Sequence, residues 1–323
     1  MLKVGLIGCG GIGRSHANAY AKMDDVELVA FIDFNEELAN QFVADFGGKA
    51  YKTLDEACAD VKLDLVSIVT PPSAHYGLLL QTIEKGIPTF CEKPITTDPA
   101  EAKDIMEKAK ASGVPIGIGF KMRYEAVFSK AKELIGKIGD IYSVSAVKVQ
   151  PYVEGVSKAW IKDTGCMYEL SVHDYDLINS IGGLKPESVL ADLDYSWGWS
   201  RENRACLNVT YEGGVKGMLV SAYSPEITFT FGDITIIYVG SKGYLKIERP
   251  DRITVHTKET EVYDIEPYEG SAPFEMEIRT FVDGVKEGKL AGPNYEDGVI
   301  NTLLIEAAGK SHREGRRVTL AEM

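Results

Sequence analysis

Three ionisable side chains lie close together in the segment GCMYELSVHDYD, residues 165–176. Glu169, His173 and Asp176 stand at i, i+4 and i+7, the spacing of residues on one helical face. An unperturbed histidine has a pKa of about 6.5, so it can accept and return a proton near neutral pH. The same spacing is also common on charged, solvated helices. The segment alone therefore leaves both a proton-transfer site and a solvated face open.

A glycine-rich turn near the start of the chain indicates where a cofactor would bind. The segment VGLIGCGGIGRSHANAY contains Gly8-x-Gly10-x-x-Gly13 between a predicted strand and a predicted helix, and Asp33 follows Gly13 by 20 residues. In dinucleotide-binding domains these glycines permit the tight turn, the approach of the pyrophosphate and close helix packing. Amides at the helix N-terminus bind phosphate. Asp33 would accept hydrogen bonds from ribose hydroxyls, which favours NAD over NADP unless a nearby cation offsets the acid.

Two further turns follow predicted strands, in IVTPPSAHY and GIPTFCEKPIT. Ligands of open parallel sheets bind beyond the carboxyl ends of the strands, so Lys93 is expected beside the nicotinamide. There its ammonium could stabilise a developing alkoxide, although a turn of this kind is also often solvated. His75 could face the cofactor or pack as a surface histidine. The predicted cofactor-binding residues are Gly8, Gly10, Gly11, Ile12, Gly13, Asp33, Thr70, Pro71, His75, Glu92 and Lys93.

The surrounding sequence predicts the elements that would position these groups. The first ~120 residues alternate short apolar strands with capped helices, which is typical of a parallel sheet covered on both sides. The later runs RACLNVTYEGGVKGMLVSAYS, ITFTFGDITIIYVGSKGYLKIE and RITVHTKETEVYDIE alternate polar and apolar residues between turns, which indicates antiparallel hairpins. We therefore predict an α/β fold: a doubly wound Rossmann domain at 1–122 and an α+β domain with a large, mainly antiparallel sheet at 123–323.

Composition limits the function further. The chain has 323 residues and a formal net charge of −13, which argues against nucleic acid as a partner. Neither a signal peptide nor an apolar run long enough to span a bilayer is present, so no membrane association is expected. Five scattered cysteines without a C-x-x-C pair favour a reducing cytoplasm, and the histidines show no paired ligand spacing, so no metal site is predicted.

Together these motifs resemble the Gfo/Idh/MocA family, named for glucose–fructose oxidoreductase, inositol dehydrogenase and a rhizopine-catabolism protein. The resemblance is carried by GLIGCGGIGRSHANAY, VAFIDFN, IVTPPSAHY, GIPTFCEKPIT, GFKMRY, SVHDYDLINSIGG and the C-terminal YEDGVINTLLIEAAGKSHREGRRVTL. By position, Lys93 matches the family's EKP lysine and His173 its usual catalytic histidine. Glu169 stands where the family commonly has aspartate. The resemblance also implies that Arg123, Trp160 and Asp176 lie near the substrate.

The resemblance implies transfer of a hydride between NAD(P) and a secondary alcohol or carbonyl of a sugar, cyclitol or related polyol. In this hypothesis His173 accepts or donates the proton, Lys93 stabilises the substrate oxygen, and Glu169 orients the histidine or binds a neighbouring hydroxyl. The predicted substrate-binding residues are Arg123, Trp160, Glu169, His173 and Asp176. The resemblance further implies a homodimer or homotetramer formed through the C-terminal sheet. Two alternatives stay open: an NAD-dependent glycoside hydrolase acting through transient oxidation, and a non-catalytic NAD-binding sensor.

Overall fold

The computed structural model describes residues 1–154, 160–224 and 233–323. These divide into two compact units, one formed by Met1–Lys121 with Ser271–Thr302 and the other by Met122–Gly270 with Leu303–Met323. The predicted domain division at residue 122 differs from this grouping in residues 271–302, and the domain boundaries stay a prediction.

The first unit contains a parallel sheet of six strands in the order β3-β2-β1-β4-β5-β6. The strands are β1 (Leu2–Ile7), β2 (Val26–Ile32), β3 (Lys49–Tyr51), β4 (Leu65–Ile68), β5 (Thr89–Cys91) and β6 (Ile116–Ile118). The helices between them are α1 (Gly11–Ala21), α2 (Glu36–Phe46), α3 (Leu54–Asp60), α4 (His75–Glu84) and α5 (Pro99–Ser112). This is the predicted doubly wound sheet, with the order reversing between β1 and β4. That position is where open α/β sheets bind their ligands.

Local capping explains why these helices begin and end where they do. Asp98 accepts hydrogen bonds from the amides of Ala100 and Glu101 at the start of α5, and Pro99 occupies its first position. The helix ends at Gly113, whose φ of 68° suits glycine. The sequence predicted these caps.

The core of the first unit includes residues from late in the chain. Helix α9 (Ala272–Glu287) belongs to the first unit, where its Ile278 and Phe281 pack in the core with residues of β1, β2 and β4. The second unit contains the helices α6 (Ala126–Leu134), α7 (Ile161–Cys166) and α8 (Val172–Gly182). A Cβ on Gly117 of β6 would lie 2.7 Å from the Phe281 ring, so a glycine is required for this close packing. Helix α10 (Tyr295–Glu314) contributes residues to both units.

The second unit contains a mixed sheet of nine strands in the order β14-β13-β12-β11-β7-β10-β9-β8-β15. The strands are β7 (Ile141–Pro151), β8 (Pro186–Asp194), β9 (Arg204–Tyr211), β10 (Lys216–Ser224), β11 (Asp233–Gly240), β12 (Gly243–Glu248), β13 (Arg252–His256), β14 (Thr260–Asp264) and β15 (Val318–Thr319). Every pair is antiparallel except β7 with β10. The predicted, mainly antiparallel sheet is confirmed. The part of the predicted strand run at 227–232 lies outside the described residues.

Candidate functional site

The glycine turn between β1 and α1 leaves an open cradle. Gly8 has a φ of 106°, and a Cβ there would lie 2.8 Å from the carbonyl carbon of Val69. A Cβ on Gly13 would lie 2.2 Å from the Gly8 oxygen, so helix and strand meet closely. Around Gly10 and Gly11, by contrast, nothing lies within 4 Å of an added Cβ. Gly8 and Gly13 are therefore required for close packing. The space at Gly10 and Gly11 lies at the N-terminus of α1, where amides can bind a pyrophosphate.

Asp33 lies beside this turn, directly after β2. Its Oδ2 accepts a 2.8 Å hydrogen bond from the amide of Cys9, and its Oδ1 accepts a 2.8 Å bond from the amide of Asn35. Each carboxylate oxygen keeps a lone pair for a further donor such as a ribose hydroxyl. Burial and the Asp33 charge raise the pKa of the Cys9 thiol to about 12, so this cysteine stays protonated. Phe34, which the sequence analysis did not single out, is 85% exposed next to Asp33.

The EKP turn after β5 is fixed by a part-buried hydrogen bond that spacing alone did not reveal. The ring nitrogen Nε2 of His16, on α1, lies 3.0 Å from Oε1 of Glu92, whose Oε2 accepts a 3.2 Å bond from the amide of Lys93. Gly119 permits this approach, because its Cβ would lie 3.0 Å from Glu92 Oε2. The His16 ring packs edge-on against Phe90 and Phe274. The glycine turn and the lysine turn are therefore tied through one side chain.

The charge state of Glu92 follows from this contact. Burial alone raises the pKa of Glu92, but the hydrogen bond and charge of His16, with the nearby Lys93, outweigh it and lower the pKa below its usual value. Glu92 is therefore a carboxylate at neutral pH. The Lys93–Pro94 peptide bond that follows is cis.

His75 lies inside the first unit. Its Nδ1 lies 2.8 Å from the carbonyl oxygen of Pro94 and its Nε2 lies 2.9 Å from that of Thr70. The ring is fully buried, and burial lowers the pKa of His75. A neutral imidazole has a single N–H, so it donates to one of these carbonyls at a time. In this structure His75 links the Thr70 turn to the EKP turn, and its predicted contact with the cofactor stays a prediction.

The second unit carries the segment that contains His173. Here α7 is followed by one turn of π-helix, Met167–Ser171, and then by α8. Glu169 and His173 are half-buried, whereas the residues next to them in the chain are buried. These two side chains thus share the open side of the segment. The π-turn is a signal of its own, because such turns are frequent at functional sites.

Asp176 is more deeply buried than Glu169 and His173, and its predicted place beside the substrate stays a prediction. It is only 2% exposed, and its two oxygens accept bonds from Nε and Nη2 of Arg123, the former at 2.7 Å. Two residues predicted to lie near the substrate therefore bind each other. A bidentate arginine–carboxylate pair of this kind fixes α8 to the turn at Lys121–Tyr124.

The start of the π-turn depends on a glycine and a buried acid. Gly165 has a φ of 74°, and a Cβ there would lie 2.4 Å from Oε1 of Glu202. That carboxylate oxygen accepts a 3.0 Å bond from the amide of Met167, and the Glu202 carbonyl accepts a 2.9 Å bond from the amide of Cys166. Burial raises the pKa of Glu202. Glu202 therefore caps the turn that carries Glu169.

Buried ionic groups hold the rest of the segment. Lys148 on β7 donates a 3.0 Å bond to Asp174, and burial raises the pKa of this aspartate despite the lysine. Glu306 on α10 accepts 3.0 Å bonds from the Tyr168 hydroxyl and from Arg201. These contacts fix the backbone on both sides of Glu169 and His173.

Four aromatic side chains that the sequence analysis did not single out lie together in the second unit. We call them the aromatic cluster: Tyr152, Trp197, Trp199 and Tyr223. Neighbouring ring centroids are 4.6 to 6.1 Å apart. The motif Trp197-Gly198-Trp199 was the available sequence signal. The predicted Trp160 is a separate, exposed residue directly before α7.

Within the described ranges, no group of three or more histidine, cysteine or acidic side chains could hold a metal ion. The helices described there are also too short or too polar to cross a membrane. All five cysteines are free thiols.

Two family models match nearly the whole chain. Residues 2–120 match the NAD-binding Rossmann fold of the Gfo/Idh/MocA oxidoreductase family, and residues 132–320 match the C-terminal alpha/beta domain of that family.

Individual relatives are similar along their full length. A myo-inositol 2-dehydrogenase from Thermotoga maritima is 27% identical, with 100% of this chain and 99% of that protein covered. A scyllo-inositol 2-dehydrogenase (NAD(+)) from Bacillus subtilis is 27% identical over 99% of this chain and 96% of that protein. The crystal structure of a myo-inositol dehydrogenase from Corynebacterium glutamicum, 26% identical, superposes with a TM-score of 0.82 over 99% of both chains.

Proposed function

The chain belongs to the Gfo/Idh/MocA oxidoreductase family, and we propose that it transfers a hydride between NAD and a secondary alcohol or carbonyl of a sugar, cyclitol or related polyol. The similarity to inositol dehydrogenases over the whole chain supports this substrate class. The observation that carries the proposal is the pair of half-buried side chains Glu169, on the π-turn, and His173, at the start of α8, in a chain that also carries the glycine turn and Lys93.

The residues of the first unit fit a dinucleotide. The open space at Gly10 and Gly11 and the amides of α1 suit a pyrophosphate, and Asp33 keeps acceptor capacity for ribose hydroxyls. When bound, the nicotinamide supplies the hydride chemistry. The other proposed contacts are those predicted from sequence at Gly8, Ile12, Gly13, Thr70, Pro71, His75, Glu92 and Lys93.

We assign the proton chemistry to His173. In the oxidative direction its imidazole accepts the hydroxyl proton while the Lys93 ammonium donates a hydrogen bond to the same oxygen and stabilises its negative charge. Glu169 orients the imidazole or binds a neighbouring hydroxyl. Arg123 and Asp176 bind each other, so their proposed role is to position α8 at the substrate site; Trp160 stays a proposed substrate contact.

The proposed preference for NAD over NADP depends on Asp33. A 2′-phosphate next to the Asp33 carboxylate would bring two negative charges together, so we propose that NAD is used in preference to NADP. Substitution Asp33→Ser removes this charge. We expect it to lower kcat/KM for NAD and to raise kcat/KM for NADP, measured by NADH and NADPH absorbance.

The test of the function is a panel of polyols, aldoses and uronates assayed for NADH with purified protein. Lys93→Ala and His173→Ala should each lower kcat by ~10²-fold or more while NAD binding, measured by calorimetry, survives. Matched controls are Lys110→Ala on α5 and His256→Ala on β13, both exposed, which should leave kcat unchanged.

Two results would contradict the proposal. Tight NAD binding without NADH from any member of the panel would exclude the dehydrogenase, and would indicate a hydrolase that regenerates NAD or a sensor. Full activity of His173→Ala would exclude His173 as the proton acceptor.

We also propose where and in what form the protein works. Five free thiols suit a reducing cytoplasm. The open face of the nine-stranded sheet suits association of two or four copies of the chain.

A further inference from the structure

The aromatic cluster has features of a binding site rather than of a sealed core. Tyr152 and Tyr223 are buried, but Trp197 and Trp199 remain half-buried on the turn between β8 and β9. The closest pair, Tyr152 and Trp199, meets edge to face at 4.6 Å. The two half-buried tryptophans keep part of their ring surface accessible to another molecule.

Two buried donors, one in the cluster and one bonded to its backbone, have no acceptor among the described residues. The Tyr223 hydroxyl is one, and the side-chain amide nitrogen of Asn203 is the other. Asn203 is fixed within the cluster, because its carbonyl accepts a 2.9 Å bond from the Tyr223 amide. Buried polar groups nearly always have a partner, so two orphan donors indicate a ligand or water that supplies oxygen atoms.

The groups around the aromatic cluster indicate which class of ligand would fit there. Burial, followed by the charge of Glu169, raises the pKa of Tyr223, so its hydroxyl stays protonated and acts as a donor. A cation could bind aromatic faces but could not accept hydrogen bonds from Tyr223 and Asn203. A sugar ring offers both an apolar C–H face and hydroxyl oxygens.

The aromatic cluster is carried by other elements than Glu169 and His173. Tyr152 follows β7, Tyr223 is on β10, and the two tryptophans are on the turn between β8 and β9. Strand β10 nevertheless packs on the His173 segment: the carbonyl of Ser221, two residues before Tyr223, accepts a 3.9 Å bond from Cys166 Sγ, and the Ser221 hydroxyl lies 3.4 Å from that of Tyr175. A ring bound to His173 and Glu169 and a ring packed on Trp199 would therefore use separate, neighbouring sets of side chains.

We propose that the aromatic cluster is a second sugar subsite, which binds a further polyhydroxylated ring linked to the one that is oxidised. This inference rests on the proposed function, since it takes His173 as the reacting end. The substrate is accordingly a glycoside of disaccharide size, with its second ring packed on Trp199 and its hydroxyls bonded to Tyr223 and Asn203.

Tryptophan fluorescence offers a test that needs no turnover. The chain has three tryptophans, and two belong to the cluster. We would titrate the NAD-bound protein with cellobiose, maltose and lactose and, in parallel, with methyl β-D-glucoside and myo-inositol. At least one disaccharide should change the emission and bind ~10-fold more tightly than the single-ring compounds.

Substitutions in the aromatic cluster test whether Trp199 and Tyr223 cause the preference for a disaccharide. Trp199→Ala should remove the advantage of the disaccharide and leave single-ring binding unchanged, Trp199→Phe should restore most of it, and Tyr223→Phe should lower disaccharide affinity several-fold. Tyr244→Phe, on β12 and stacked on His256, is the control and should change nothing. Thermal melts confirm that each variant is folded.

The outcomes separate this inference from the proposed function. If no disaccharide binds better than the single rings, or if Trp199→Ala weakens both equally, the second subsite is excluded while polyol oxidation stands. If no sugar yields NADH, the proposed function fails, and a disaccharide-specific fluorescence change lost in Trp199→Ala would still support the subsite.

Discussion

At the scale of single residues, the contact between His16 and Glu92 is one that spacing in the sequence could not reveal. The two residues are 76 positions apart, yet they join the glycine turn to the turn that presents Lys93. Glu92 Oε2 accepts a hydrogen bond from the Lys93 amide, so His16 holds the carboxylate that is bonded to the lysine's backbone. A substitution at His16 should therefore lower both the free energy of unfolding and kcat.

We expect His16→Phe to reduce the free energy of unfolding by about 1–3 kcal/mol at neutral pH, because a buried carboxylate loses its donor. The lowered pKa of Glu92 stabilises the fold above the pKa of an unfolded glutamate, and this contribution is lost as pH falls through the folded pKa. The difference from wild type should thus shrink below about pH 4. Urea titrations from neutral to acidic pH measure it.

His16→Gln is the matched control, since its amide can still donate to Glu92. It should recover most of the stability and kcat, whereas His16→Phe should lower kcat ~10-fold or more through misplacement of Lys93. A loss of stability that is the same at every pH would show that the ring packs only as an apolar group.

At the scale of elements, the glycine turn separates structural glycines from those that leave room for a ligand. Gly10→Ala should weaken NAD binding ~10-fold or more with a stability change below about 1 kcal/mol, because the added methyl meets only ligand space. Gly11→Ala, whose methyl also meets only open space, should likewise weaken NAD binding with little loss of stability. Gly13→Ala should cost about 1–3 kcal/mol of stability through overlap with Gly8. Wild-type NAD affinity in both of the first two variants would contradict this assignment.

The π-turn can be tested with a second pair of glycines. Gly165 and Gly183 both have positive φ, 74° and 62°, but only Gly165 lies against Glu202. Gly183→Ala should cost only the backbone strain of about 1–2 kcal/mol and keep kcat. Gly165→Ala should cost more and also lower kcat, since it displaces the turn that carries Glu169. Thermal melts and steady-state assays compare the two; the same kcat in both would rule out this role for the turn.

The sequence predicted those elements whose signals are local. Asp98, Pro99 and Gly113 define α5 from cap chemistry, and the Gly8 to Asp33 spacing defines the first β-α-β unit. Contacts between distant residues could not be read in this way. The Arg123–Asp176 pair and the Glu202 cap of the π-turn both depend on tertiary packing.

At the scale of the whole molecule, the nine-stranded sheet has two different faces. Helices α6 and α8 pack on one side. The central strands β7, β10 and β11 turn apolar side chains to the other, where Val147 is 49%, Met218 63% and Val239 42% exposed. A depression of about 710 Å³ there is lined partly by Met218 and Val239. Exposed apolar side chains grouped on one face of a sheet suit an interface between copies of the chain.

We therefore expect the wild-type protein to run as a dimer or tetramer, and Met218→Glu to shift it to monomer in sedimentation or light-scattering measurements. Buried in an interface between identical chains, the new carboxylate would lose its hydration without gaining a partner. Because each copy carries a formal charge of −13, added salt should strengthen wild-type association by screening repulsion between copies. Met276→Glu, on α9 of the first unit, is the matched control and should leave the mass unchanged. A wild-type monomer at all salt concentrations, or an unchanged oligomer in Met218→Glu, would exclude this face as the interface.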